Sequence, residues 1–233
     1  MLFETLFSKV FFILSIQLIV TTVACVGLIQ YIRYLYNVKK VHWISATYIE
    51  KGKVDLHIDF RAISKYFWML FILNIVVFIV LLFIQHQLGF AMILFTIWSI
   101  LTGFQVALAL ISVDENLGTK VLAITASVTF ITALIGLYSG IDFSFLGKFL
   151  LIALIILVVI NVIRIFINIK GTMRKLITIF GVALFTLYLI FDFNRITRAD
   201  NNWHEAMNIA INIYLDIINL FLYLLDLLSA FSK

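Results

Sequence analysis

Long apolar runs separated by short polar links dominate the chain. A helix needs about 20 predominantly apolar residues to cross the hydrocarbon core of a bilayer. Seven stretches are candidates: Val10–Tyr31, Tyr66–Ile84, Leu88–Val113, Thr119–Tyr138, Phe149–Ile169, Leu176–Phe191 and Ala206–Leu228. Gln85-His86-Gln87 separates the second from the third, and Asp114-Glu115-Asn116 the third from the fourth. Links this tight predict antiparallel neighbours. The exception is the polar stretch 37–65, with Lys39, Lys40, Lys51, Lys53, Arg61 and Lys65. Its segment Val-Asp-Leu-His-Ile-Asp-Phe (54–60) alternates apolar and polar positions and offers a short strand, against the plainer reading of a solvated loop. Residues 8–31 exceed a secretory apolar region in length and lack a small-residue cleavage site after them, so they are read as a retained first span. The predicted fold is an all-α membrane protein: a seven-transmembrane-helix bundle forming a single integral membrane domain over 1–233, with no tandem repeat and no second soluble domain.

The seventh run differs from the others. Glu205, Asn208, Asn212, Asp216, Asn219, Tyr223 and Asp226 are spaced 3, 4, 4, 3, 4 and 3 apart. On a helix they form one continuous stripe. An ionised Asp at mid-bilayer costs roughly 2.5–3.5 kcal/mol on the insertion scale, so the stripe is expected to face other helices or a water-filled path. The seventh helix is accordingly expected at the centre of the other six. Asparagines in such a stripe commonly act as interhelical glue; an acid is a costly adhesive, which singles out Asp216. Glu205 and Asp226 lie nearer the ends, where solvation accounts for them.

A second acid closes the sixth run. Asp192 directly follows Leu-Phe-Thr-Leu-Tyr-Leu-Ile-Phe (184–191). Two placements are open: an interfacial ion pair with Arg195 one turn on, or an inward direction towards Asp216. Two carboxylates meeting inside a bundle resist double ionisation and share a proton, so such a pair would sense pH. Deprotonated, it would offer hard oxygen ligands to Ca²⁺, which takes 6–8 oxygens. Asn side chains, opened backbone and water would have to supply the remainder.

Composition agrees with the pattern. Apolar residues make up 64% and charged residues 12%, against about 45–50% and about 25% in soluble domains. A soluble fold of this size could not hide that much apolar surface. The chain contains no proline, so long helices run without their usual breaker. The single cysteine, Cys25, lies in an apolar run and reads as a small buried hydrophobe. The net charge of +5 sits mostly between apolar runs; that distribution suits lipid headgroups and orientation signals rather than nucleic acid. With seven spans, the N-terminal side carries Lys9, Lys148, Arg195 and Arg198, and the remaining 13 of the 17 Lys and Arg lie on the other. That bias puts the N-terminus outside and the C-terminus in the cytoplasm.

The motifs resemble a known family. Tyr214-Leu215-Asp216-Ile217-Ile218-Asn219-Leu220-Phe221-Leu222, followed by Tyr223-Leu224-Leu225, resembles the C-terminal signature of the Bax inhibitor-1 family (transmembrane BAX inhibitor motif, or lifeguard, proteins). Leu187–Ile196 is similar to the family's sixth-helix ending, with its acid at Asp192, and the 24-residue separation of Asp192 from Asp216 matches. Asp142-Phe143-Ser144-Phe145-Leu146-Gly147 resembles a family element before the fifth span. Lys9-Val10 through Gln17–Thr22 resembles the first helix. The likeness covers most of the chain except 37–65.

The resemblance implies a seven-helix bundle with a central last helix and a pH-sensitive calcium leak. Asp192 and Asp216 would be the proton-sensing, Ca²⁺-binding pair. Asn212, Asn219, Arg195, Glu205 and Asp226 would line or support the path. It further implies an N-terminus in the cytoplasm, opposite to the charge count. Eukaryotic members would reside in endoplasmic reticulum, Golgi or mitochondrial membranes and oppose cell death; bacterial members would reside in the plasma membrane. One departure stands out. Bacterial relatives carry a basic cluster between spans two and three, with an arginine that latches onto the sixth-helix acid. Here Gln85-His86-Gln87 occupies that place: either the latch is absent, or another cation, Arg195 or Arg164, replaces it.

Other functions fit less well. A non-conducting regulator acting through other membrane proteins is the alternative, with the acids structural. An enzyme is not expected. Zinc proteases need HExxH, and His204-Glu205 lacks the second histidine. The GxGD motif of presenilin-like proteases is absent, since Gly140-Ile141-Asp142 has the wrong spacing. A retinal protein needs a lysine in its last helix, where only the terminal Lys233 follows Lys175. His42, His57, His86 and His204 are scattered and read as solvated. Gly103, Gly118, Gly136 and Gly181 are read as points of close helix packing. No cofactor is expected beyond calcium as a bound or transported ion.

Overall fold

The computed structural model describes residues 3–49, 53–111, 113, 115–167, 169 and 171–231; Lys51, Asp114 and Lys233, named above, lie outside the described residues. Seven helices are long and apolar enough to cross a membrane: α1 (Leu6–Tyr34), α2 (Ser64–Ile84), α3 (Leu88–Ile111), α4 (Glu115–Tyr138), α5 (Leu146–Phe166), α6 (Gly171–Arg195) and α7 (Trp203–Phe231). The protein is thus an all-α, multi-pass integral membrane protein. Helices are what apolar runs must form in lipid, because every backbone N–H and C=O has to be satisfied within the segment.

Several helices outrun their apolar cores. α6 extends from Gly171 to Arg195, and α7 starts three residues before the expected Ala206. Their ends lie where headgroups and water accept polar side chains, so backbone hydrogen bonding continues past the apolar stretch. α1 passes into a π-helical turn, Leu35–Lys39, and stops at Lys40, which is left-handed at φ 46°. α5 ends earlier than expected, because Ile167 is extended (φ −117°, ψ 118°).

The chain divides into two compact units, residues 15–118 and residues 1–14 with 119–233. In the first, the stretch read as a solvated loop forms an antiparallel hairpin, β1 (Ile44–Ile49) with β2 (Lys53–Ile58), in the register Ile44↔Ile58 and Ala46↔Leu56. The strand offered by Val-Asp-Leu-His-Ile is therefore real. Burial is what stabilises it: Ile44 joins Ile32, Leu35 and Leu108 in a core cluster, and Leu56 and Ile58 pack against it. The alternate position, His57, is exposed. Polar side chains inside this unit are bonded between helices. Gln17 donates to Thr96 Oγ1 (3.3 Å) and accepts from Ser99 (3.0 Å), while Asn74 bridges Thr102 (3.1 Å) and Trp98 (3.2 Å). In lipid these bonds replace the water such groups would otherwise need.

In the second unit α6 and α7 pack along each other, and α5 joins α6. Close approach depends on glycine at two points. A Cβ on Gly136 of α4 would lie 2.7 Å from Ile190 O and Phe193 Cβ of α6, and one on Gly181 of α6 would run into the Tyr223 ring of α7. α7 buries Ala206, Met207, Ile209, Ala210, Ile211, Ile213 and Tyr214 in succession. Successive residues turn by about 100° on a helix, so these positions cover more than one face. By contrast, α2 buries only Leu81 among its residues, as a helix facing lipid does.

A carboxylate site between the last two helices

The link from α6 to α7 is short and hydrogen-bonded. Ala199 N donates to Arg195 O (2.9 Å), and Asn202 accepts from Glu205 N (2.8 Å) as the N-cap of α7. That cap satisfies one of the donors left open at a helix start. The tight return lays the last turns of α6 beside the first turns of α7.

Asp192 sits near the end of α6 and is 3% exposed; Asp216, in mid-α7, is 5% exposed. The two carboxyl groups lie within interacting reach of each other. A hydrogen bond between two carboxyl groups requires a proton on one of them. Asp216 Oδ2 is buried and accepts no hydrogen bond from a donor among the described residues. An orphaned acceptor of this kind is costly in a dry interior.

Both open placements of Asp192 are realised together. Besides facing Asp216, it accepts from Arg195 NH1 at 3.2 Å. Arg195 NH2 donates to Asn208 Oδ1 (2.8 Å) and lies 3.9 Å from Glu205. Asn212 donates to the same Asn208 oxygen (3.3 Å). Of the cations considered for Asp192, Arg195 is the one bonded to it, from its own helix. One polar chain thus runs Asp216–Asp192–Arg195–Asn208–Asn212, with Glu205 at its edge. Asn219 stands outside it, donating to Leu215 O one turn back (2.9 Å).

Asp226 belongs elsewhere. Solvation was expected to account for it. Instead it forms a partly buried ion cluster: Arg164 NH2 of α5 lies at 3.3 Å and Arg174 Nε of α6 at 3.0 Å, with Arg174 NH2 closer still, and Thr178 donates from 3.1 Å. Arg174 and Thr178 were not foreseen. Isolated basic residues at span ends read as orientation signals, and nothing local links Arg164 to an acid 62 residues away.

The Asp142–Gly147 element has a structural role. Asp142 accepts from Ser144 N (2.7 Å) and pairs with Arg198, which also bonds Ser144. Asn194 accepts from Phe143 N (3.0 Å) and donates to Gly136 O (2.8 Å) and Ile141 O (3.0 Å). These bonds pin the turn between α4 and α5 against the end of α6, two residues from Asp192. Lys9, near the start of α1, donates to Asn201 Oδ1 (2.9 Å) in the α6–α7 link.

The fold and site together define a multi-spanning membrane protein with a buried carboxylate pair between its last two helices. Residues 4–233 match the family described as inhibitor of apoptosis-promoting Bax1, and the chain belongs to that family. Among its relatives, a Helicobacter pylori (strain J99) protein is 28% identical over 180 residues, 75% of this chain and 76% of that protein. Protein LIFEGUARD 1 of Arabidopsis thaliana is 39% identical over 90 residues, covering 39% of this chain and 38% of its own length. The Golgi anti-apoptotic protein of vaccinia virus (strain Lister) is 38% identical over 92 residues, covering 40% and 38%.

Proposed function

We propose that this protein is a pH-sensitive calcium leak pathway in which Asp192 and Asp216 bind the passing ion and a competing proton. The observation that supports it is the buried pair of carboxyl groups, one oxygen of which finds no donor among the described residues. An acid held purely by structural bonds would find a donor for each buried oxygen, and Asp216 Oδ2 finds none among the described residues. Two carboxylates supply at most four oxygens, short of the 6–8 that Ca²⁺ takes. Water and the amide oxygens of Asn212 and Asn219, four residues before and three after Asp216 on the same stripe, are the candidates to supplement them. The site is therefore weak, as a leak requires.

The sign of the pH effect follows from the chemistry. A Ca²⁺ ion seated on both carboxylates displaces the shared proton, so acid and calcium compete. Calcium affinity falls as pH drops, by about tenfold per pH unit while one proton is exchanged per ion. Ca²⁺ efflux from proteoliposomes measured over a pH series tests this. Asp192→Asn and Asp216→Asn should each change the flux at least several-fold and flatten its pH dependence. Flux unaltered in both variants would overturn the reading.

The name of the vaccinia relative favours a second reading, a non-conducting regulator that acts through protein partners. Purified protein that passes no ion at any pH, while retaining its fold, would decide for that reading.

A further inference from the structure

We infer that the polar stripe of α7 is closed at its far end by a second gate, in which Arg174 and Arg164 clamp Asp226 and bar the exit of a cation released from Asp216. This inference rests on the conduction reading above.

Asp216, Asn219, Tyr223 and Asp226 continue one face of α7 at spacings of 3, 4 and 3. Ten residues of helix place Asp226 about 15 Å along the axis from Asp216. The stripe is half-buried at Asn212, Asn219, Tyr223 and Asp226 and buried at Asp216. Its apolar neighbours Ile209, Ile213 and Leu220 are fully buried. The polar positions flanking Asp216 on this face are thus only partly covered, as Leu215, Ile217, Ile218 and Leu222 beside them are.

Both of its last two members are tied off. Tyr223 OH accepts from Asn161 of α5 at 2.6 Å, and the Tyr223 ring closes over Gly181 of α6. Asp226 has both oxygens committed, one to Arg174 and the other to Arg164 and Thr178. Two guanidinium groups against one carboxylate leave the cluster net positive. Lys175, whose Nζ lies 4.3 Å from the Phe231 ring centroid, adds to that charge. A divalent cation moving along the stripe meets this charge and finds no free oxygen. The opposite end is arranged alike, with Arg195 on Asp192, Asn208 and Glu205. Guanidinium groups therefore bracket the stripe at both ends.

The two clamping arginines differ. Arg164 is 23% exposed and also donates to Asn161 Oδ1 at 3.4 Å; Arg174 is 40% exposed. Arg174 is the arm free to swing outward, and Arg164 is the fixed one. A cation then leaves when Arg174 releases Asp226.

Ca²⁺ efflux from proteoliposomes containing the full chain tests the gate. Arg174→Gln is expected to raise efflux at least threefold. Adding Asp216→Asn should return it to the level of Asp216→Asn alone. The exchanged pair Arg174→Asp with Asp226→Arg keeps one acid and two guanidinium groups together, and is expected to bring efflux back towards wild type. A purely structural clamp would instead lower the thermal midpoint of Arg174→Gln without raising flux. If Arg174→Gln fails to insert, Arg174→Lys keeps the charge, loses the fork, and should still leak more than wild type. Efflux unchanged in Arg174→Gln or Arg174→Lys, while Asp216→Asn still alters it, overturns the gate and leaves the conduction reading standing. No efflux from any form removes both.

Discussion

Arg195 donates to two acceptors from one guanidinium, Asp192 on its own helix and Asn208 on the next, and lies 3.9 Å from Glu205. It both balances a buried charge and ties α6 to α7. A planar, permanently charged fork suits that task better than a lysine. Truncating one partner of a fully buried ion pair costs about 3–5 kcal/mol. Arg195 is 28% exposed, so solvent screening reduces this, and Arg195→Met is expected to destabilise the protein by about 2 kcal/mol. Thermal unfolding in detergent micelles measures it. Adding Asp192→Asn should recover most of the loss, because a neutral amide needs no counter-charge. At this scale the sequence was half legible. Asp192, Arg195 and Asp216 stood out because charges inside apolar runs are costly. Asn194 did not, because an asparagine at a helix end reads as a solvated residue until its bonds to Phe143, Gly136 and Ile141 are seen.

Between elements, contact is set by small residues. Gly136 lets α4 approach α6 just where Asp192, Phe193 and Asn194 stand. Gly136→Ala would push its methyl against Ile190 O and Phe193 Cβ, both at 2.7 Å and on rigid backbone. Overpacking of this kind costs about 1–3 kcal/mol. A drop in the thermal midpoint, with the pH response of Ca²⁺ efflux altered because the Asp192 turn has moved, is the expected result. Gly27, with nothing within 4 Å of an added Cβ, serves as the control: Gly27→Ala should leave both measurements unchanged. That glycines at span interiors mark close packing was legible in the sequence. Which helix each one meets was not. The hairpin shows a similar gap: alternation in 54–60 suggested a strand, but its partner and the cluster beneath it depend on Ile32, Leu35 and Leu108 of two helices.

For the whole molecule, each helix is a membrane crossing, and crossings alternate sides. The link between α4 and α5 and the link between α6 and α7 then share one side, and the link between α5 and α6 lies on the other. Ser139 and Asp200 are exposed in the first two of these links, and Thr172 is exposed in the first turn of α6, next to the third. Replacing each in turn by cysteine, with Cys25 buried and quiet, should give labelling of Ser139→Cys and Asp200→Cys from one face of oriented vesicles. Thr172→Cys should label from the other face only. Labelling of all three from the same face would mean that α5 or α6 does not cross.

Hydrophobic patterning by itself determined that the chain is a membrane protein, how many helices cross, and where each begins to within a few residues. The physical reason is that transfer from water to lipid sums along the chain, so the crossing of each run is a local property. The stripe on α7 was legible for the same reason, because a 3.6-residue period belongs to one helix. The tertiary structure alone decided which charges meet. Asp192 coming within reach of Asp216, and Arg174 and Arg164 converging on Asp226, depend on the rotation and vertical register of helices tens of residues apart. Those quantities are set by side-chain packing at Gly136, Gly181 and their neighbours, and no local pattern carries them.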